Sequence, residues 1–133
     1  MKITDIKTIE DYWCIHNNLS SKHVEHGMYF LMRENIFPLW EDENNKHGGC
    51  WSFKIEKKNI YSTWIELSIA TLGEFLMKDS KNNLFINGIT TSPKKGFCIL
   101  KIWNSDRTKS SISLLKQDIP NIDLKNCIYK SHQ

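Results

Sequence analysis

The residues best suited to chemistry in this chain are Trp40 and the acids beside it. They lie in the run Pro38-Leu39-Trp40-Glu41-Asp42-Glu43-Asn44-Asn45-Lys46-His47-Gly48-Gly49-Cys50-Trp51. An exposed indole next to a fixed carboxylate is a receptor for a flat cationic ring that carries N–H donors. The ring's charge is drawn to the indole face, and one carboxylate accepts two parallel N–H bonds. The competing reading is an acidic surface loop around a buried Trp. Lys94 and Lys95 sit in the turn Ser92-Pro93-Lys94-Lys95-Gly96, and their charge matters only if that tip faces an anion. The remaining candidates fall short. His23-x-x-His26 and His47-x-x-Cys50 have metal-ligand spacing but no matching second pair, so these histidines read as loop residues. Cys14, Cys50, Cys98 and Cys127 are irregularly spaced, without C-x-x-C, and read as free thiols. There is no Ser/His/Asp order and no P-loop, and Glu41-Asp42-Glu43 alone is a poor metal cluster. No catalytic set, metal or cofactor is therefore expected.

Several elements must position these residues. Met1 to Thr8 alternates weakly, as a strand does. Thr8 then caps a helix carrying Ile9, Tyr12, Trp13 and Ile15 and ending near Asn17-Asn18. Ile9 and Trp13 share a face while Tyr12 and Ile15 point elsewhere, which is more apolar surface than a core needs. Ser20 to Gly27 reads as a polar loop, and Met28 to Arg33 as a short buried strand or turn. Trp51, Phe53 and Ile55 alternate with polar residues as a half-buried strand does, which puts Trp51 in the core. Ser62 or Thr63 is placed to cap a second helix from Trp64 to about Met77. One stripe of it is Trp64, Leu67, Thr71, Phe75 and Met77; a second is Ile65, Ile69 and Leu72, ending at Gly73-Glu74. That double stripe fits either a thoroughly buried helix or an external groove for a partner helix. Leu84 to Thr91 and Phe97 to Trp103 read as strands, with Asn87-Gly88 a further hairpin signal. Thr108 to Gln117 reads as a third helix stopped by Pro120, and Ile122 to Tyr129 as a last strand. The class is α+β: roughly six strands in an antiparallel sheet, with three helices on one face.

Composition narrows the function classes. At 133 residues, 40% hydrophobic and 25% charged, residues 1–133 fit a single globular domain. There is no apolar run to span a bilayer and no secretory leader, so an intracellular site and no membrane partner are expected. A net charge of +3 points to a local site for any nucleic acid rather than a basic sheath. Five Trp are many for this length; aromatic faces of this kind fill cores and also bind bases or protein helices.

Taken in order, Ile9-Glu10-Asp11-Tyr12-Trp13, Pro38-Leu39-Trp40-Glu41-Asp42-Glu43 through Gly48-Gly49-Cys50-Trp51, Trp64-Ile65-Glu66 through Leu72-Gly73-Glu74, Ile102-Trp103 and Tyr129-Lys130-Ser131-His132 closely resemble the translation initiation factor 4E family. The similarity covers nearly the whole chain. It implies a curved antiparallel sheet of six to seven strands, three helices on its convex face, and a 7-methylguanosine mRNA cap on the concave side. In that frame Trp40 matches the Trp that stacks on the methylated base and Glu41 the carboxylate that reads the guanine edge. Trp103 matches the Trp near the methyl group, and Lys94, with Lys95 beside it, stands where the family holds the cap phosphates. Methylation at N7 makes the ring cationic, which strengthens stacking on an indole. Ile9, Trp13, Ile65, Ile69, Leu72 and Gly73 match the groove that takes a helical motif from a 4G-like scaffold or a 4E-binding protein. A cytoplasmic monomer acting in cap-dependent translation initiation is expected.

The departures from the family pattern are specific. The match begins after a first strand and a loop that carries a second, sandwiching Trp, and no Trp precedes Trp13. One-sided stacking forfeits roughly 1–3 kcal/mol; Phe30, Tyr29 or a partner's side chain would then supply the other face. Cys50, Gly96 and Ile99 stand at positions where the family is basic, and the match ends before the family's cap-closing C-terminal loop. The abundance of Asn, Lys and Ile fits an AT-rich genome, such as that of a large DNA virus. Two functions compete: a minimal cap-binding factor, or a module that occupies scaffold partners and binds caps weakly or not at all. Retention of both Trp40 and Glu41 favours the first.

Overall fold

The computed structural model describes residues 5–132, without the side chains of Ile9, His16, Asn17 and Asn18. Residues 1–4 of the expected first strand and the side chain of Ile9 thus lie outside what is described, and residues 5–8 form no strand. Helix α1 (Ile9–Asn18) opens where the sequence places its cap. Thr8 Oγ1 accepts the Asp11 N–H at 3.1 Å, and the Asp11 carboxylate accepts the Thr8 N–H at 3.2 Å. The predicted loop 20–27 is instead a second helix, α2 (Ser21–His26). Ser20 caps it, His23 Nδ1 accepts the Ser20 N–H at 3.0 Å, and Val24 is wholly buried beneath. The His23–His26 spacing that resembled a metal pair is thus part of a capped amphipathic turn.

Among the described residues the sheet has five strands, slightly fewer than the six or seven expected: β1 (Tyr29–Met32), β2 (Gly49–Glu56), β3 (Ile86–Pro93), β4 (Phe97–Asn104) and β5 (Ile128–Ser131). They run antiparallel in the order β1-β3-β4-β2-β5. Trp51, Phe53 and Ile55 from β2, Ile89 from β3 and Leu100 and Ile102 from β4 face one side. There they meet Val24 of α2 and Ile60, Trp64, Leu67 and Ala70 of α3 (Lys57–Leu72) in one core. Helix α3 starts seven residues before the predicted Trp64. Ser62 and Thr63 therefore fall inside it and bond back to the Asn59 carbonyl at 3.1 and 2.8 Å rather than capping. It stops at Leu72, so Phe75, placed in the first stripe of that helix, lies exposed beyond the helix end.

The predicted third helix, 108–117, is replaced by two short 3-10 turns, Arg107–Lys109 and Ile112–Leu114. The local side chains explain this. Asp106 and Ser111 accept the Thr108 and Ser113 N–H groups, competing with a helical ladder. Leu115 is then drawn into a bridge with Met77, flanked by Lys78 N–H to Leu114 O and Lys116 N–H to Leu76 O, at 2.9 and 2.8 Å. The last strand likewise begins at Ile128 rather than Ile122, after a 3-10 turn at Leu124–Asn126 capped by Asp123.

Asn87-Gly88, a hairpin signal in the sequence, is no turn. It is a register shift in the β3–β4 ladder between Ile86 and Gly88, and it frees the Asn87 side chain to leave the sheet. Glycine is required at position 48, where a Cβ would overlap the Asn104 carbonyl oxygen as the chain enters β2. Gly48→Ala is expected to cost about 1–3 kcal/mol through this overlap. The check is the urea midpoint; an unchanged value would show that the loop can shift without loss.

Candidate functional site

Between β1 and β2 the chain must carry Trp40 across the end of the sheet, and its polar side chains fold that crossing. The three adjacent acids take three different parts. Asp42 closes the loop: its carboxylate accepts the N–H groups of Phe37 at 3.2 Å and Asn44 at 2.9 Å. Those bonds, the one from Asn44 foremost, hold its pKa below the usual 3.8. A depressed pKa means that this bracing is present at neutral pH and fades only as the pH falls below the unfolded value. Glu43 pairs with Lys46 at 3.0 Å. Glu41 is exposed and has no hydrogen-bond or ion-pair partner among the described residues, and Trp40 beside it is 53% exposed. The buried-Trp reading of this stretch therefore fails.

The loop is fastened to the sheet by two buried amides. Asn45 Nδ2 donates to the carbonyls of Phe37 and Leu39 at 2.8 and 2.9 Å, the latter directly before Trp40. Asn87, swung out by the register shift, donates to Asn45 Oδ1 and to the Asn44 carbonyl, both at 2.8 Å. At the loop's start, Arg33 donates to the carbonyls of Ile86 and Asn83 and pairs with Glu74 at 3.0 Å. At its end, Asn104 Oδ1 accepts the Gly49 N–H at 3.0 Å and the Tyr129 hydroxyl at 2.8 Å.

The sheet face away from the helices is open. Alternation places Met32 (β1), Gly88 (β3), Trp103 (β4), Cys50 (β2) and Lys130 (β5) in its first cross-strand row, at the end where the Trp40 loop is fastened. Phe30, Thr90, Lys101, Ser52 and Ile128 form the second row, Ser92, Ile99 and Lys54 the third, and Phe97 and Glu56 the fourth. Trp103 is only 7% exposed. Its Nε1–H donates to Thr90 Oγ1 at 3.1 Å, and its ring lies 5.2 Å from the His132 ring, tilted 39°. It is a fixed floor element, unlike the projecting Trp40.

Burial lowers the His132 pKa, helped by the charge of Lys101, so this ring is neutral near pH 7. Burial raises the Cys50 thiol to about 12, and its sulfur lies 3.7 Å from His132 Nε2. A thiol held protonated in this way is a poor nucleophile. Phe30 presents its ring to the open face, 42% exposed, while Tyr29 packs against the core on the other side.

Lys94 and Lys95 stand apart from the Trp residues. They occupy the β3–β4 hairpin tip, where Lys94 N–H donates to Phe97 O at 2.7 Å. The tip is separated from Trp103 by nearly the full length of β4, about 20 Å at strand rise.

The helix side carries the second cluster. On α3, Trp64, Leu67 and Ala70 face the core, while Ile65 is partly buried and Ile69 and Leu72 are exposed. Of the two readings of that helix, the external stripe is the one observed. Burial, with the Glu66 carboxylate of α3 nearby, raises the pKa of Tyr12 of α1, and its ring meets Trp13 edge-on at 5.4 Å. Trp13 is 45% exposed. Gly73 caps α3, with the exposed Phe75 ring folded where a Cβ would stand.

Comparison with known proteins fits this geometry. The family model of eukaryotic initiation factor 4E matches residues 1–133. The chain belongs to the eukaryotic initiation factor 4E family. It is 31% identical over 114 residues to eukaryotic translation initiation factor 4E of Saccharomyces cerevisiae, covering 83% of this chain and 52% of that one. To the Dictyostelium discoideum factor it is 30% identical over 132 residues, covering 97% and 48%. The chain thus spans about half the length of the curated relatives it matches. Among solved structures it resembles Ascaris suum eIF4E-3 with m7G cap at 30% identity and TM-score 0.68, over 79% of this chain and 60% of that one. It also resembles Caenorhabditis elegans eIF4E-3 with the 4E-binding protein Mextli and cap analog at 28% identity and TM-score 0.79, over 93% and 74%.

Within this initiation factor 4E fold, several residues of the open face escaped sequence reasoning. Lys101, Lys130 and Lys54 belong to rows that only the strand register reveals, although apolar/polar alternation along 97–104 already sets Lys101 opposite Leu100 and Ile102. Asn45 and Asn87 looked like loop and turn residues. Phe75, next to the Leu72-Gly73-Glu74 motif, extends the helix-side patch. Among the described residues no group of three or more His, Cys, Asp or Glu could hold a metal, and no helix is long and apolar enough to cross a membrane. Asn45→Ala removes both donors and strands the Asn87 amide, a loss of about 1–3 kcal/mol. Hydrogen exchange at the Asp42, Asn45 and Lys46 amides is expected to accelerate about tenfold or more, with α3 amides unchanged. Uniform acceleration would point to global destabilisation instead.

Proposed function

We propose that this chain binds the 7-methylguanosine cap of mRNA on its open sheet face and a helical motif of a scaffold or 4E-binding protein on its helix side, acting in cap-dependent translation initiation in the cytoplasm. One observation carries the cap reading: a braced loop that projects the Trp40 indole and leaves the adjacent Glu41 carboxylate unpartnered. An unpaired carboxylate on a rigid loop has its accepting oxygens free for the N–H donors of a guanine edge, and the indole offers its face to the cationic ring. Trp103 forms the floor near the methyl group. Lys94, with Lys95 beside it, is the residue that the resemblance assigns to the cap phosphates, and both stand at the β3–β4 tip. The cap in the Ascaris suum structure and Mextli in the Caenorhabditis elegans one support both halves of the reading.

The helix-side half rests on Trp13, Ile65, Ile69, Leu72 and Gly73; Ile9, which the resemblance adds to this set, lies outside the described side chains. Exposed apolar anchors at helical spacing suit an amphipathic partner helix. The protein acts by binding, without catalysis. The second reading, a module that competes for scaffold partners with little cap affinity, draws on this same exposed patch, so the cap titration decides between the two.

In a Trp-fluorescence titration, 7-methyl-GTP is expected to quench emission and to bind more tightly than GTP, and Glu41→Ala to abolish the preference over a 7-methylated adenine nucleotide. No quenching and no preference for the methylated nucleotide would leave the competitor reading. Trp13→Ala is expected to weaken a helical scaffold peptide by at least tenfold, about 1.4 kcal/mol, while the cap titration stays unchanged. Equal peptide affinity for wild type and variant would remove Trp13 from the partner site.

A further inference from the structure

The guanidinium of Arg33 sits at the register shift on which the Trp40 loop is hung. Arg33 is the first residue after β1 and opens the stretch that carries Trp40. Its Nε donates to the Ile86 carbonyl at 2.6 Å, one terminal nitrogen to the Asn83 carbonyl at 2.7 Å and the other to the Glu74 carboxylate at 3.0 Å. Its backbone N–H donates to the Asn87 carbonyl at 2.8 Å.

These bonds stand where regular pairing stops. The β1–β3 ladder ends at Met32–Gly88, and the residues of β3 just before Gly88 are the ones that slip against β4. An extra residue in one strand disrupts the ladder and leaves backbone groups to find other partners. Arg33 supplies them, its main-chain N–H to Asn87 and its Nε to Ile86. The bond to Asn83 ties in the 3-10 turn Ser80–Phe85, whose closing bond, from the Ile86 N–H to the same Asn83 carbonyl, leads into β3. Ile86 and Asn83 are both buried, so a carbonyl stranded there is costly. With the slip held in this way, the Asn87 amide reaches Asn45 at 2.8 Å, and Asn45 reaches the Leu39 carbonyl beside Trp40 at 2.9 Å.

Glu74 completes the arrangement from the helix side. It has a left-handed backbone, φ 57°, directly after the α3 cap Gly73, a conformation uncommon for a residue with a Cβ. The Arg33–Glu74 pair is 39% and 52% exposed and so contributes little stability by itself. Its role is to aim a planar fork whose other two nitrogens meet the carbonyls, a geometry that the single ammonium of a lysine does not reproduce. We propose that Arg33 is a positioning residue of the cap site, holding the Trp40–Glu41 loop in the form that receives the base while its own guanidinium stays engaged by the protein. The ligand in this assignment rests on the cap reading; the bracing of the loop does not.

The test is stopped-flow Trp fluorescence with 7-methyl-GDP on wild type, Arg33→Met, Arg33→Lys and, as a remote charge control, Lys125→Met, at a temperature where the proteins are folded. A loop braced in only about one molecule in ten weakens binding about tenfold, because apparent affinity scales with the competent fraction. The loss should fall on the association rate and leave the dissociation rate unchanged, since the complex once formed is the same. Arg33→Lys, which keeps the charge but not the fork, should lose nearly as much, and Lys125→Met should match wild type. Hydrogen exchange at the Asp42, Asn45 and Lys46 amides should accelerate in both Arg33 variants, with α3 amides unchanged. Faster dissociation with unchanged association would make Arg33 a ligand contact and overturns the proposal. So does Arg33→Lys binding as wild type, which would reduce the role to charge, or loop exchange that is unchanged or faster only in step with α3. If Arg33→Met does not fold, Arg33→Lys carries the same comparison. If wild type binds no methylated nucleotide, the cap reading fails alone, and the exchange rates decide the bracing: faster loop exchange in the Arg33 variants supports it, equal exchange removes it.

Discussion

The contact between Asn45 and Asn87 is where the loop that carries Trp40 meets the sheet that carries Trp103. Asn45 is wholly buried and Asn87 nearly so, and their amides meet at 2.8 Å with each remaining loop-facing donor on a backbone carbonyl. Buried amides in a low dielectric are costly when unpaired and rigid when satisfied. The arrangement exists because the ladder slips at Ile86–Gly88, releasing Asn87 from the sheet. A defect in strand pairing thus becomes the mount for the projecting indole. Asp42, which ties the loop's two arms together, completes the brace and leaves Glu41 as the acid of the three with nothing to hold.

The same sheet separates the protein's two surfaces. Period-two alternation in β2 and β4 sends Trp51, Phe53, Ile55, Leu100 and Ile102 into the core and Lys54, Lys101 and Trp103 to the open face. The core side is sealed by α3, whose outer stripe stays bare, as does Trp13 on α1. The nucleotide and the helix proposed for the two faces would therefore share no side chain.

Much of this was legible in the residues, and the misreadings have local causes. The α1 cap, the strands around Trp51 and Leu100, and the two α3 stripes follow from side-chain period and cap chemistry, which are short-range. The failures come where polar side chains rewrite the backbone. Ser20 with His23 made a helix of an apparent loop, and Asp106 with Ser111 unmade a helix that apolar spacing suggested. The site residues divide in the same way. Trp40 and Glu41 announce themselves as an unusual pair. Lys101 and Lys130 do not, because what sets them on one face is cross-strand register, a long-range property. Lys94 and Lys95 are conspicuous in sequence, yet they stand a strand's length from the indoles.

The central claim is that a methylated guanine rests on the Trp40 indole with Trp103 as its floor. Intermolecular nuclear Overhauser effects from the N7-methyl protons of bound 7-methyl-GDP test it most directly. The account predicts cross-peaks to ring protons of both Trp40 and Trp103. Cross-peaks confined to Trp13 or Trp64, or to Trp103 without Trp40, would contradict it.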